Sequence, residues 1–288
     1  MLHGFQQTHD ACNTNRLGWI PDVPDHRDFQ WSAAVVASAV RGLTRKRRIA
    51  IPEVIDWREF CGRVEDQQRL GTSTAHACIA MLQQFERRST GRLIYPSRLF
   101  LHRAALRMDG MFDCRVSLRT ALKACRRFGI LDEKHWPYEP ANLTLKPDAF
   151  TCGMSRPLRG LRYVRLDDHR ATGQEILERL RSFLAAGFTF VFGFPIYRAV
   201  STDAEISFPT NSDALIGGQA VVAVGFDDTL RIRSDKGALL IRNSWGLDWG
   251  DRGFGWLPYS YITERLAADF WTLIKPSWLR SGEFERPL

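Results

Sequence analysis

Ser73 stands between Thr72 and Thr74 at the head of an almost continuous apolar run: Ala75, Ala77, Cys78, Ile79, Met81, Leu82 and Phe85. That run predicts a buried helix, so three hydroxyls meet its N-terminus. Hydroxyls there are expected to cap the first turn; the other use of the place is to hold an anion or a substrate carboxylate against the backbone N–H groups. A serine can also attack a carbonyl, but its hydroxyl is un-ionised in water and needs a base to take its proton. His76, one helical turn along, is the first candidate for that base, although a histidine on a buried helix is expected to face the packed interior. His102, His135 and His169 lie on other segments and read as packing or surface residues. Asp167, Asp168 and His169 form too local a cluster for a metal site. Cys12, Cys61, Cys78, Cys114, Cys125 and Cys152 show no Cys-x-x-Cys pairing, so neither metal nor cofactor is expected. Cys78 reads as a small core residue, and Cys61 could pair with Cys114 or Cys125 only under oxidation.

Several elements must position these side chains. Beyond the helix that starts near Ser73, helices are predicted at 97–107 and 118–128, the second stopped by Gly129. A charged helix at 173–186 precedes an apolar strand at 189–194, and further strands are read at 219–226, 238–243 and 253–257. Residues 1–50 read as an N-terminal arm, with a short apolar helix at 32–41 and a basic linker, Arg41 then Arg45-Lys46-Arg47-Arg48. The domain proper is read as 51–275, a helical lobe at about 51–150 followed by a β lobe at about 151–275, with a tail at 276–288. The chain has 288 residues, 44% hydrophobic and 25% charged, as in an ordinary globular protein of one large domain or two half-domains. Its net charge of +8 comes almost wholly from arginine, since lysine occurs only at 46, 123, 134, 146, 236 and 275. No zinc-finger, helix-turn-helix or aromatic-interleaved pattern accompanies that charge, so nucleic acid is an unlikely partner. No apolar run is long enough to span a bilayer. The N-terminus lacks the pattern of a secretory signal, so a cytoplasmic location is expected, with export by a signal-less route left open.

Asn243-Ser244-Trp245-Gly246, closing the strand-like run at 238–242, resembles the papain-like cysteine peptidases, in particular their bacterial members. Further motifs follow in the family's order. Gln67 precedes Ser73 by six residues, Gly217-Gly218-Gln219-Ala220 resembles the family's Gly-Gly-His-Ala strand, and Trp249-Gly250-Asp251-Arg252-Gly253 and Asp269-Phe270-Trp271 follow. Leu17-Gly18-Trp19-Ile20-Pro21-Asp22 is similar to the arm before the domain in bacterial members, so the resemblance runs from about residue 17 to about 275. It implies an α+β, papain-like two-lobed fold: a helical lobe whose central helix starts near Ser73, an antiparallel β-barrel-like lobe, and a cleft between them.

The resemblance also implies roles. Gln67 matches the donor to the oxyanion, Asn243 the amide that orients the catalytic imidazole, and Trp245 the indole that shields it. Ser73 stands where the family has its nucleophilic Cys, and Gln219 where it has its His. Gln68 replaces the usual Gly, and Arg115-Val116-Ser117 aligns with a Gly-Ala-Ser stretch walling the cleft, so Arg115 and Val116 are expected to crowd a peptide laid there. Thr72, Gly217 and Gly218 complete the expected cleft lining. An amide cannot take and return a proton at any useful pH, so the reading is a pseudopeptidase, a polypeptide-binding, scaffolding or regulatory protein without proteolytic activity. The alternative is a Ser-dependent hydrolase, peptidase or acyl transferase that uses Ser73 with His76, or the substrate itself, as base.

Overall fold

The computed structural model describes residues 17–23, 25–33, 36, 51–109, 115–198 and 203–279. The basic cluster at 41–48, Cys12, Cys114 and the chain after 279 lie outside them. So does the helix read at 32–41, apart from a turn through 31–33 and Val36, which is buried in the core.

The apolar run after Ser73 forms helix α1, Ser73–Thr90, in which 15 of 18 residues are buried, so it is wrapped by the fold on nearly every side. Gly91, at φ 71°, ends it in the left-handed conformation that glycine adopts without steric cost. Helices α2 (Arg98–Asp109) and α3 (Leu118–Phe128) pack on it. Ser117 caps α3 by accepting from the Thr120 N–H. Two further helices enter here: the short α4 (Ala149–Gly153), and α5 (Gly173–Ala185), opened by a capping box between Thr172 and Glu175.

The strands are β1 (Val54–Asp56), β2 (Arg162–Arg165), β3 (Phe190–Tyr197), β4 (Leu215–Ile232), β5 (Asp235–Arg242), β6 (Phe254–Pro258) and β7 (Ala268–Ile274). They make one seven-stranded antiparallel sheet in the order β2-β7-β3-β4-β5-β6, with β1 also on β4. The lobe read as barrel-like is therefore an open sheet with β2 and β6 at the two ends of its order. Its first strand comes from the N-terminal half, before the helices. β3 is apolar along nearly its whole length because it is central; its Phe192 stacks on Phe270 of β7 at 5.0 Å. β4 and α1 pack together, which brings the start of the helix to the middle of the sheet. No helix among the described residues is long and apolar enough to cross a membrane.

Candidate functional site

Gln67, Ser73, Gln219 and Asn243 come from a loop, a helix start, the middle of a strand and a strand end, and they meet. The Gln67 N–H donates to the Ser244 carbonyl at 2.8 Å, tying the loop before α1 to the turn after β5. The register Val222↔Arg242 between β4 and β5 brings Asn243 beside Gln219. One backbone group then orients the whole cluster. The Ser244 N–H donates to Asn243 Oδ1 at 2.8 Å, so this oxygen is the acceptor for Gln219 Nε2, also at 2.8 Å. Gln219 Nε2 donates in turn to Gln67 Oε1 at 3.0 Å, which takes a second hydrogen bond from Ser244 Oγ at 2.5 Å. All these side chains are buried, Gln67 and Gln219 completely.

Ser73, 0% exposed, accepts at Oγ from the Ala220 N–H at 3.3 Å. Among the described residues, no imidazole or carboxylate is hydrogen-bonded to it. The cluster holds no titratable group, so it can orient and hydrogen-bond but cannot transfer a proton through a side chain.

His76 is buried, as its place on α1 predicts. Its Nδ1 lies 3.0 Å from the Thr72 carbonyl, which can only accept, so Nδ1 carries the hydrogen. Burial, reinforced by the Arg98 charge, lowers its pKa to about 3. That leaves a neutral ring committed to its own helix, and not a base for Ser73. His102 is also driven down to about 3, by burial first.

The helix-capping expectation for the three hydroxyls is corrected. Thr72 holds the cap position but makes no side-chain cap bond. Its hydroxyl meets Tyr138 Oη at 2.6 Å, and Tyr138 donates to the Gln67 carbonyl at 2.8 Å. Thr74 donates to the Val116 carbonyl at 2.8 Å. The hydroxyls thus tie the helix start to three distant segments, and Tyr138 is a site-supporting residue with no signal in the sequence beyond its aromatic type.

The groove above this cluster is filled by the chain's own arm. Trp19 N–H donates to the Gly218 carbonyl at 3.1 Å on one side, and Val116 N–H donates to the Gly18 carbonyl at 3.3 Å on the other. The arm is thus an extended segment held by main-chain bonds to both walls. Its approach needs glycine on both partners. A Cβ on Gly18 would stand 1.8 Å from the Gly71 carbonyl oxygen, and Cβ atoms on Gly193 and Gly218 would stand 1.9 and 2.5 Å from the Trp19 ring. Trp19 is 7% exposed.

Val116 therefore does not crowd an extended chain. Its side chain is turned into the core, 1% exposed, and its backbone pairs with the chain that lies there. Arg115 is at the surface. Gly217 lies under the Leu17 side chain. Gln68 sits at φ 54°, the left-handed region, where the glycine implied by the resemblance would rest without strain; its N–H bonds to Asp66 Oδ1 at 2.7 Å. Trp245 packs edge-on against Trp249 at 5.6 Å, and Asp66 pairs with its backbone.

Further along, the arm is anchored by charge. Asp22 N–H donates to Asp269 Oδ2 at 2.7 Å, and the Asp22 carboxylate accepts from the Trp271 indole at 3.1 Å and the Arg119 N–H at 3.2 Å. Arg119 grips Asp28 at 2.6 Å. Arg165 reaches Asp28, Asp167 and Asp269 at 3.3, 2.9 and 2.9 Å. Four acids around two guanidiniums leave an excess of negative charge. Burial, with Asp22 adding to it, pushes the Asp269 carboxyl up to about 7, and burial raises Asp22 as well.

The four cysteines described, Cys61, Cys78, Cys125 and Cys152, are all thiols, and no metal-binding cluster of acids, cysteines and histidines occurs among the described residues.

An open antiparallel sheet against a buried central helix, with the site where the helix start meets mid-sheet, defines a papain-like fold. The sequence pattern of the papain family cysteine proteases matches residues 51–264, and the chain belongs to that family. It is 29% identical over 287 residues to an uncharacterized peptidase C1-like protein of Acanthamoeba polyphaga mimivirus, covering 90% of this chain and 87% of that one. Mexicain of Jacaratia mexicana is 29% identical over 206 residues, covering 70% of this chain and 86% of its own. Among solved structures, xylellain, a cysteine protease from Xylella fastidiosa, superposes with a TM-score of 0.73 at 29% identity, over 91% of this chain and 96% of that one.

Proposed function

We propose that this papain-family chain binds extended polypeptide without hydrolysing it. The observation that carries the reading is the arm itself, an extended backbone bonded to Gly218 on one wall of the groove and to Val116 on the other. Main-chain bonds on both sides recognise a peptide by its backbone, and the slot over Gly193 and Gly218 adds room for a large flat side chain. The site below supports the second half of the reading. Ser73 has an amide N–H for a partner instead of a base, and Gln219 joins Gln67 to Asn243 through bonds that carry no exchangeable charge. Loss of a nucleophile–base unit costs about 10^6-fold in turnover in serine peptidases.

Two measurements on the full chain test this. A diverse peptide library, read by mass spectrometry, should stay intact with the native protein and with Ser73→Ala alike; cleavage that depends on Ser73 would establish a hydrolase with a hidden base. A labelled peptide spanning residues 17–23 should bind Trp19→Ala more tightly than the native chain, because the weakened arm vacates the groove. Equal, negligible binding to both would remove the peptide-binding half.

A further inference from the structure

A pocket adjoins the amide cluster on a face with no arm residue in its wall; Ala220, Asn243 and Ser244 of the site line it together with His76. Its cavity is small, ≈ 20 Å³, room for about one water-sized ion. Two buried arginines border it, Arg98 at the start of α2 and Arg242 at the end of β5, 6% and 4% exposed. Arg98 is neutralised by Glu65 and Glu133, each at 2.6 Å.

Arg242 is not. Its Nη2 donates to the Arg63 carbonyl and the Cys61 thiol lies beside it, but among the described residues no carboxylate stands within ion-pair distance. Glu65, the acid whose charge acts on it, is shared between Arg63 and Arg98. Burial raises the Cys61 pKa, so that thiol is neutral and supplies no counter-charge. A guanidinium stripped of water without a counter-charge is costly, which is why burial lowers the pKa of Arg242.

The hydrogen-bond inventory points the same way. Arg242 Nη1, Arg98 Nε and Asn243 Nδ2 are buried donors with no protein acceptor. The orientation of Asn243 follows from the Ser244 N–H on its Oδ1, so its NH2 group is the end left over. His76 Nε2 and Glu133 Oε2, also without protein partners, are acceptors and would not hold an anion.

We infer that this pocket is a binding site for one small monovalent anion, a halide or a small carboxylate, held by Arg242 Nη1 and Asn243 Nδ2. One negative charge matches the one guanidinium lining this pocket that has no ion pair among the described residues. A phosphate dianion would bring a second charge toward Glu65 and Glu133 and is disfavoured. Asn243 joins the ion to the amide cluster, since the same side chain accepts from Gln219 on one atom and would donate to the ion from the other.

Crystals of the full chain grown in sodium bromide test the site by anomalous scattering. A bromine peak within hydrogen-bond reach of Arg242 Nη1 is expected, and a pocket without one overturns the proposal. In solution, bromide or formate should replace gluconate, which is too bulky to enter, at constant ionic strength. The melting temperature should then rise by about 4 °C as the site saturates, and the rise should vanish in Arg242→Gln. An equal rise in the variant would also overturn it. The bromide map needs no variant, so it decides the matter even where Arg242→Gln does not fold.

Discussion

The arm meets the rest of the chain in two places that are chemical opposites. At Gly18 and Trp19 it lies over neutral amides and hydroxyls and is held by backbone bonds and one indole in a glycine-floored slot. At Asp22 and Asp28 it is tied into four carboxylates and two guanidiniums. The family's chemistry would need an ionisable pair at the first place, and none stands there. The ionisable groups are concentrated at the second, where they anchor a segment. pH should therefore act on how the arm is held.

The strongest blow to the charged anchor is Arg165→Ala. It leaves Asp28, Asp167 and Asp269 with one guanidinium fewer, and removing one partner of a buried ion pair costs about 3–5 kcal/mol. Urea unfolding should show a loss of that size; a loss below ~1 kcal/mol would mean the cluster is no anchor. At the neutral end, Trp19→Ala should weaken arm docking by about 3 kcal/mol, the usual cost of deleting a buried large aromatic. Limited proteolysis would read this as much faster cleavage within the arm. Gly193→Ala attacks the same contact from the sheet side. Its Cβ would stand 1.9 Å from the Trp19 ring, and overpacking of this kind costs about 1–3 kcal/mol. If the arm stayed as protected in this variant as in the native chain, the slot would not be what holds Trp19.

The pH dependence sharpens the comparison further. Asp269 binds its proton more tightly folded than unfolded, because burial and Asp22 raise it to about 7. Its contribution is therefore complete in acid below about 4, the ordinary carboxyl value. It is lost as pH rises from there through about 7, and Asp22 acts in the same direction. Asp269→Asn should flatten that slope in unfolding midpoints measured across the range. The smallest effect is expected at Gln68, whose φ of 54° costs an L-residue about 1 kcal/mol. Gln68→Gly should return about that much stability and leave the arm untouched.

Much of this protein could be read along the chain. The apolar run after Ser73 dictates a buried helix, and the stop at Gly129 places the end of α3 at Phe128. The strand signal at 238–243 ends within a residue of β5; the one at 189–194 starts within a residue of β3 but stops three residues short of its end at Tyr197. Gln67, Ser73, Gln219 and Asn243 were legible because each belongs to a local motif whose spacing survives in one dimension. What tertiary structure decided is where partners come from. Thr72 and Thr74 look like caps by local rules, yet the fold offers them Tyr138 and Val116, more than 40 residues away, and those bonds replace the cap. Val116 looks like an obstruction until its side chain is seen turned inward and its N–H given to the arm. Arg242 reads as an ordinary strand residue; only burial beside an already shared Glu65 leaves its charge without an ion pair. Residue type and periodicity fix the local backbone and the buried face, because those depend on neighbours a few positions away. Which donor meets which acceptor, and which charge is left over, depends on segments brought together only when the core closes.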